Sequence, residues 1–280
     1  MIWSLMLRFI EPRVGLANTI LVIAGMLAFL CLVAVALASH NPAQRPTRPT
    51  SWIAPRTYID ASAFRQKSFL ALAAATACFF LVFYGPFFGL EAWSFATGVG
   101  YKGTFRPDPN VPSLRTYYIL CVLNGSSTIG RLTASLLSDA LGALQVHAAV
   151  SALAGLLCLA LWTQAESFGP AIAFVVLFGA VSGAVIGLPP ADVNRVLGEE
   201  RQGRLGTWLG MVYFFAAVPQ ITGPVICGVL VEHGYIAMES FIGAGLMIAA
   251  AFFVLAAVFH CKEQKAQAQT EKEGLGEQAV

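Results

Sequence analysis

Apolar runs alternate with short polar stretches along most of this chain. Seven of the runs approach the roughly 20 predominantly apolar residues that a helix needs to cross a bilayer. They cover residues 16–38, 69–93, 114–137, 143–162, 170–190, 207–231 and 238–260. The pattern predicts an all-α polytopic membrane protein. Residues 1–7 are apolar but too short to span. They read either as the tail of a preceding helix or as an interfacial anchor, and Trp3 suits both. The longest polar segment, 39–68, holds Pro42, Pro46, Pro49 and Pro55 with Arg45, Arg48, Arg56, Arg65 and Lys67. A stretch of this composition predicts a linker between two bundles, with Asp60 or Ser62 capping the helix that follows. The expected organisation is one helix closing a first bundle (1–38), the linker (39–68), a six-helix bundle (69–260) and a tail (261–280). The tail is charged and poor in apolar residues, so disorder is expected there.

The third run departs from the others. Tyr117 to Gly142 reads YYILCVLNGSSTIGRLTASLLSDALG, with one arginine near its middle. Asn124, Ser127 (or Thr128), Arg131, Ser135 and Ser138 recur at steps of three and four, which sets them on one helix face. A guanidinium at bilayer depth costs about 2.5–3.5 kcal/mol on insertion scales, so it faces water or a partner. One reading makes Arg131 the fixed positive charge for an anionic solute. The other makes it structural, bonded to helix ends or snorkelling to an interface.

Composition agrees with the membrane reading: 57% of residues are hydrophobic and 11% charged, against about 25% charged in soluble domains. A net charge of +2 gives nucleic acid no footing. The six cysteines are scattered without a Cys-x-x-Cys pair, so buried apolar cysteine is expected, not disulfides or metal. Placing the 39–68 loop in the cytoplasm puts eleven Lys and Arg on that side and five on the other. That bias predicts a cytoplasmic carboxyl terminus, and the plasma membrane is the expected location.

Helix breakers recur in the last six runs. Gly85-Pro86 interrupts the second and Gly187-Leu188-Pro189-Pro190 ends the fifth. The third carries Gly125 and Gly130, the sixth Pro219 and Gly223-Pro224. Matching breakers in two sets of three helices predict a three-plus-three inverted repeat. Gly179, Gly183 and Gly187 form a small-residue ridge for helix packing, and Gly206, Gly210 and Gly228 are read the same way. Glu91 is the candidate for carrying a coupling proton, against a hydrated or paired interfacial carboxylate. Tyr84, Tyr213 and Gln220 are the other polar groups deep enough to line a cavity. His147 and His233 lie at span edges without ligand-spaced partners, so no metal is assigned. No catalytic set, phosphate loop or cofactor motif is present in the sequence, which argues against an enzyme or an ATP-driven pump.

At LNGSSTIGRLTASLLSDALG the sequence resembles the monocarboxylate transporter-like permeases of the major facilitator superfamily, especially their fungal branch. Leu123, Asn124, Ser127, Gly130 and Arg131 match the family's eighth helix. Asp60, Ala63, Phe64 and Arg65 match the approach to the seventh, and Gly85-Pro86-Phe87-Phe88 its interior. Gly179 with Ser182-Gly183 matches the tenth. Arg204-Leu205-Gly206, Gly210-Met211 and Gly223-Pro224 match the eleventh. The resemblance implies a two-bundle transporter of twelve helices, of which this chain holds helices six to twelve. By that likeness Arg131 pairs with a substrate carboxylate in a central cavity. Two positions depart from the family pattern: Ser127 stands where many animal members have an aspartate linked to proton coupling, and Ala140 follows Asp139 where a basic residue is usual. The expected function is gradient-driven transport of a small organic anion, with Arg131, Asn124, Ser127, Tyr84 and Tyr213 at the substrate. One bundle supplies one cavity wall, so the expectation includes a longer product, a fragment, a complementary bundle or self-association. The alternative is a non-transporting truncated paralogue that binds a full-length membrane partner.

Overall fold

The computed structural model describes residues 2–38, 58–99, 114–198 and 203–277. The proline-rich part of the expected linker, 39–57, lies outside them. Helix α1 runs Ile2–Leu37 and bends at Gly15 (φ 81, ψ 161), three residues after Pro12. Proline and a positive-φ glycine together interrupt the backbone ladder. The side chains beyond the bend repair it: Asn18 Nδ2 donates to the Val14 carbonyl and Thr19 Oγ1 to the Gly15 carbonyl, both at 2.8 Å. Residues 2–7 thus continue into a helix that reaches the bend. From Glu11 onward α1 exposes almost every side chain except Thr19, and it meets the remaining helices chiefly along α4 (Leu114–Leu141).

The other six runs pack together. After a 3-10 turn at Ala63–Arg65 come α2 (Lys67–Phe83) and α3 (Gly85–Thr97), which form one broken span. α4 is followed by α5 (Ala143–Leu156), whose last turns widen into a π-helix over Leu157–Trp162. α6 (Phe168–Ile186) and α7 (Leu188–Leu197) form the second broken span. α8 (Leu205–Glu232) and α9 (Tyr235–Glu277) complete the set. Among the described residues six spans are long and apolar enough to cross a membrane. α4 is not one of them, because its polar stripe lowers its hydropathy.

Both breaks fall where the sequence sets them. Pro86 occupies the first turn of α3, and Pro189 and Pro190 the first turn of α7. Proline there has no N–H to lose, yet it cannot continue the preceding ladder. The two triplets then share a layout: a broken helix, an unbroken helix of 28 residues, and a third helix. Each broken helix packs against the long helix of the other triplet. A Cβ at Gly223 of α8 would overlap the Leu81 carbonyl of α2, and a Cβ at Gly130 of α4 would overlap the Ala180 carbonyl of α6.

Polar ties gather where the chain enters α2, here called the linker end. Glu263 Oε1 accepts the Lys67 and Ser68 amides at 2.9 and 3.3 Å, and Oε2 accepts the Ser68 hydroxyl at 2.5 Å. These amides lack partners within α2, so α9 supplies the cap. That corrects one expectation: neither Asp60 nor Ser62 caps the helix. α9 continues as helix through Glu277, into the expected tail.

Candidate functional site

α4 owes its azimuth to missing side chains. Cβ atoms at Gly183 and Gly179 of α6 would overlap the Ser127 and Leu123 carbonyls of α4, so the two backbones touch along the seam. Leu123, Ser127, Gly130 and Ala134 turn into it, whereas Thr128, Arg131, Leu132 and Ser135 stand exposed. The expected polar stripe therefore divides. Ser127 is only 3% exposed and its hydroxyl donates to the Asn124 carbonyl at 2.8 Å. Its place in the seam separates it from Arg131. Gly187 takes no part in the seam: none of the described residues lies within 4 Å of its Cβ position, and the same holds for Gly206, Gly210 and Gly228. Gly223 does on α8 what those three were expected to do.

Arg131 lies ten residues from the end of α4, about 15 Å along its axis. Its guanidinium has no hydrogen-bond or ion-pair partner among the described residues, so no backbone carbonyl holds it. Asn124, half-buried two turns earlier, donates from Nδ2 to the Leu120 carbonyl at 2.9 Å. Tyr84 and Tyr213 are brought together. Phe80 lies between them, 6.2 Å from the Tyr84 ring and 6.1 Å from the Tyr213 ring. Phe87 extends this aromatic band from Tyr84 to Phe178 of α6. No ring contact joins Arg131 to the band. Gln220 is half-buried on α8 and Glu91 is exposed on α3.

Three polar features escaped the sequence reading. Asp60 accepts four hydrogen bonds: the Ser62 amide and hydroxyl on Oδ1 at 3.0 and 2.7 Å, and Arg204 and the Trp208 indole on Oδ2 at 2.7 and 3.0 Å. Burial alone would raise its pKa, but the bonds from Trp208, Ser62 and Arg204 outweigh it and hold the carboxyl well below its usual range. The second feature is an ion pair between His147 of α5 and Asp192 of α7, 45 residues apart and both buried. Asp192 was counted in a loop because the fifth run was ended at 190; the helix continues to Leu197. Third, Glu239 is 1% exposed at the start of α9, where it lines a cavity together with Trp93. That cavity, of about 850 Å³, is also bordered by Trp162, His233 and Tyr235. An ionisable residue within an apolar run was the available signal for Glu239, whereas Asp192 follows the fifth run by two residues, and neither lies in a recognisable spacing.

Residues 13–219 match the profile of the Major Facilitator Superfamily, well over half of the chain. The chain belongs to that superfamily. Among its relatives, the agnestins efflux protein AgnL12 of Paecilomyces divaricatus is 27% identical over 256 residues, which is 91% of this chain and 54% of that protein. The MFS-type transporter opdF of Penicillium oxalicum is 30% identical over 229 residues, 82% of this chain and 49% of that protein. The aspyridones efflux protein apdF of Emericella nidulans is 26% identical over 199 residues, covering 68% and 36%. This major facilitator chain spans about half the length of the relatives it matches. It is a multi-pass integral membrane protein of a transporter family, not of an enzyme family. In this superfamily each six-helix half carries nested inverted repeats and the solute site lies between halves near the midplane.

Proposed function

We propose that this chain is the carboxy-terminal part of a major facilitator transporter that carries a small organic anion across the plasma membrane, driven by a gradient. Arg131 is the observation that carries the reading. It is a cation near the middle of α4, exposed and without a protein counter-charge among the described residues. Desolvation makes such a group unfavourable unless an anion or water meets it. Asn124 on the same helix adds a polar group two turns away, and the Tyr84–Phe80–Tyr213 band adds aromatic surface with two hydroxyls. The names of two relatives as efflux proteins favour export as the direction. The monocarboxylate likeness is the finer part of this proposal, with a carboxylate as the group that Arg131 holds. The carboxyl terminus is assigned to the cytoplasm on the bias of Lys and Arg among the loops.

The test is flux of radiolabelled organic anions into vesicles containing the chain together with a complementary first half. Losing a charge-assisted hydrogen bond of about 1.5–3 kcal/mol should lower flux by roughly 10- to 100-fold in Arg131→Ala. Arg131→Lys retains the charge without the planar fork, so part of the flux should remain. Equal flux in wild type and Arg131→Ala overturns the anion site.

A second reading has the chain as a non-transporting partner of a full-length protein. It is favoured by the exposure of Phe214, Val218, Ile221 and Val225 on α8, an apolar side suited to another bundle. Co-purification with a full-length relative, with no flux from either combination of halves, would select it.

A further inference from the structure

We propose that His147 and Asp192 form a proton-binding site that ties the occupancy of one proton to the packing of α7. The inference rests on the transporter reading for its use in a transport cycle, and on the geometry alone for the site itself.

His147 Nδ1 lies 2.5 Å from Asp192 Oδ2, and the two residues are 1% and 0% exposed. Their far atoms, His147 Nε2 and Asp192 Oδ1, are buried and have no hydrogen-bond partner among the described residues. The pair thus holds one hydrogen bond internally and keeps two open positions, one on each side. Phe253 of α9 stacks on the imidazole with ring centroids 3.8 Å apart, and Phe79 of α2 meets its edge at 5.5 Å. This aromatic wall seals the site.

The charges that face it are few. On α8, Tyr213 interacts electrostatically with Asp192 and with Tyr84 at the end of α2. Further along, His260 of α9 interacts electrostatically with Arg195 of α7 and with Glu263 of its own helix. α6 has no ionisable residue, His147 is the sole one on α5, and on α4 both Arg131 and Asp139 are exposed. No cation beyond the imidazole neutralises Asp192 among the described residues.

The charge balance follows. Carboxylate plus neutral imidazole amounts to one buried negative charge. One added proton, on Nε2 or on Oδ1, makes the pair neutral, as an imidazolium–carboxylate or as an acid beside a neutral ring. A neutral unit is compatible with this interior, and a net charge is penalised there. Since Nε2 and Oδ1 are both sealed, the proton enters or leaves only when a wall moves.

α7 is the wall built to move. It is ten residues long, and it starts after Gly187 and stops at Gly198, which has φ 77. Among the described residues neither glycine has a neighbour within 4 Å of its Cβ position, so both joints have room there. His147 is four residues into α5 and Asp192 five from the end of α7, about 6–8 Å inside the linker end. Loss of the proton leaves an uncompensated charge that water relieves when α7 loosens; reloading draws α7 back onto α5. Glu91, exposed on α3, lacks this enclosure.

The experiment is hydrogen–deuterium exchange of the full chain in lipid nanodiscs between about pH 6 and about pH 8, corrected for intrinsic rates, and it needs no solute. A one-unit difference in proton affinity between packed and loosened α7 shifts their ratio about tenfold. Exchange in 188–197 is therefore expected to rise about tenfold across that range in wild type. Asp192→Asn, permanently neutral and of the same shape, is expected to stay at the low-pH level throughout. His233→Gln, altering an exposed histidine, should keep the wild-type step. If Asp192→Asn does not fold, the wild-type protein decides alone: a resonance of the pair, either the imidazole nitrogens or the Asp192 carboxyl carbon, must move with the same midpoint as exchange in α7. A flat wild-type profile, a step that survives in Asp192→Asn, or mismatched midpoints overturns the proposal. Anion flux without a step leaves the transporter reading standing and removes this one; a step without flux does the reverse.

Discussion

At Asp60 four donors converge on one carboxylate, and the acid limb of stability should report it. Its proton affinity is depressed in the folded state, so its contribution is whole above the ordinary value of 3.8 and declines only as pH falls through the lower folded value. Asp60→Asn should cost about 1–3 kcal/mol at neutral pH, chiefly through the Trp208 and Ser62 bonds. Arg204 is 62% exposed, and solvent screens its share. Thermal unfolding followed by tryptophan fluorescence should find the same deficit at neutral pH and at about pH 5, narrowing only below the usual carboxylate range. An equal narrowing between those two values contradicts the depressed carboxyl. The sequence marked Asp60 as notable but mistook its role, because a cap is a local pattern and Trp208 is 148 residues away. Ser127 failed for a related reason: helical spacing gives neighbours along a face, and only the position of α6 decides which face is covered.

Helix breaks were legible because proline acts through its own backbone, whatever surrounds it. Tyr84 and Gly187 stand at the two interruptions, as Gly85-Pro86 and Pro189-Pro190 predict. Helix seams were half legible. Every glycine in a GxxxG ridge looks alike in sequence, yet Gly179 and Gly183 touch α4 and Gly187 touches nothing. Substitution should separate them. Gly183→Leu forces α4 away from α6 and should destabilise by about 1–3 kcal/mol or more, as overpacking does. Gly228→Leu, added where no neighbour lies within 4 Å, should be near neutral in the isolated chain. Fluorescence-detected size-exclusion after graded heating compares the two; equal losses would mean that the seam is not what fixes α4. A shift of α4 would also displace Arg131, so Gly183→Leu at permissive temperature should lose anion flux.

On the scale of the whole molecule, two surfaces are left uncovered by the described residues. α1 packs little beyond α4, and α8 turns Phe214, Val218, Ile221 and Val225 outward. Lipid accepts such side chains, so exposure alone does not separate a lipid face from a bundle face. Labelling does. Val218→Cys and Ile221→Cys, made in a variant without the native cysteines, should react readily with a water-soluble maleimide if they border a wet crevice. Adding the complementary first half should slow the reaction severalfold, and no change on its addition would assign that face to lipid. The six-helix layout followed from apolar runs because each span closes its own hydrogen bonds. Which spans touch did not follow, since lipid tails are as apolar as the helices and small residues decide the packing.

The reach of Glu263 back to the first amides of α2 has a practical side. A gene shortened at its 3′ end to finish with the last apolar stretch, near residue 260, would still encode every span, yet the entrance to α2 would be left bare. A fluorescent reporter joined there would carry the same defect and could be blamed for poor yield. Joined beyond residue 277, it would leave that clasp closed.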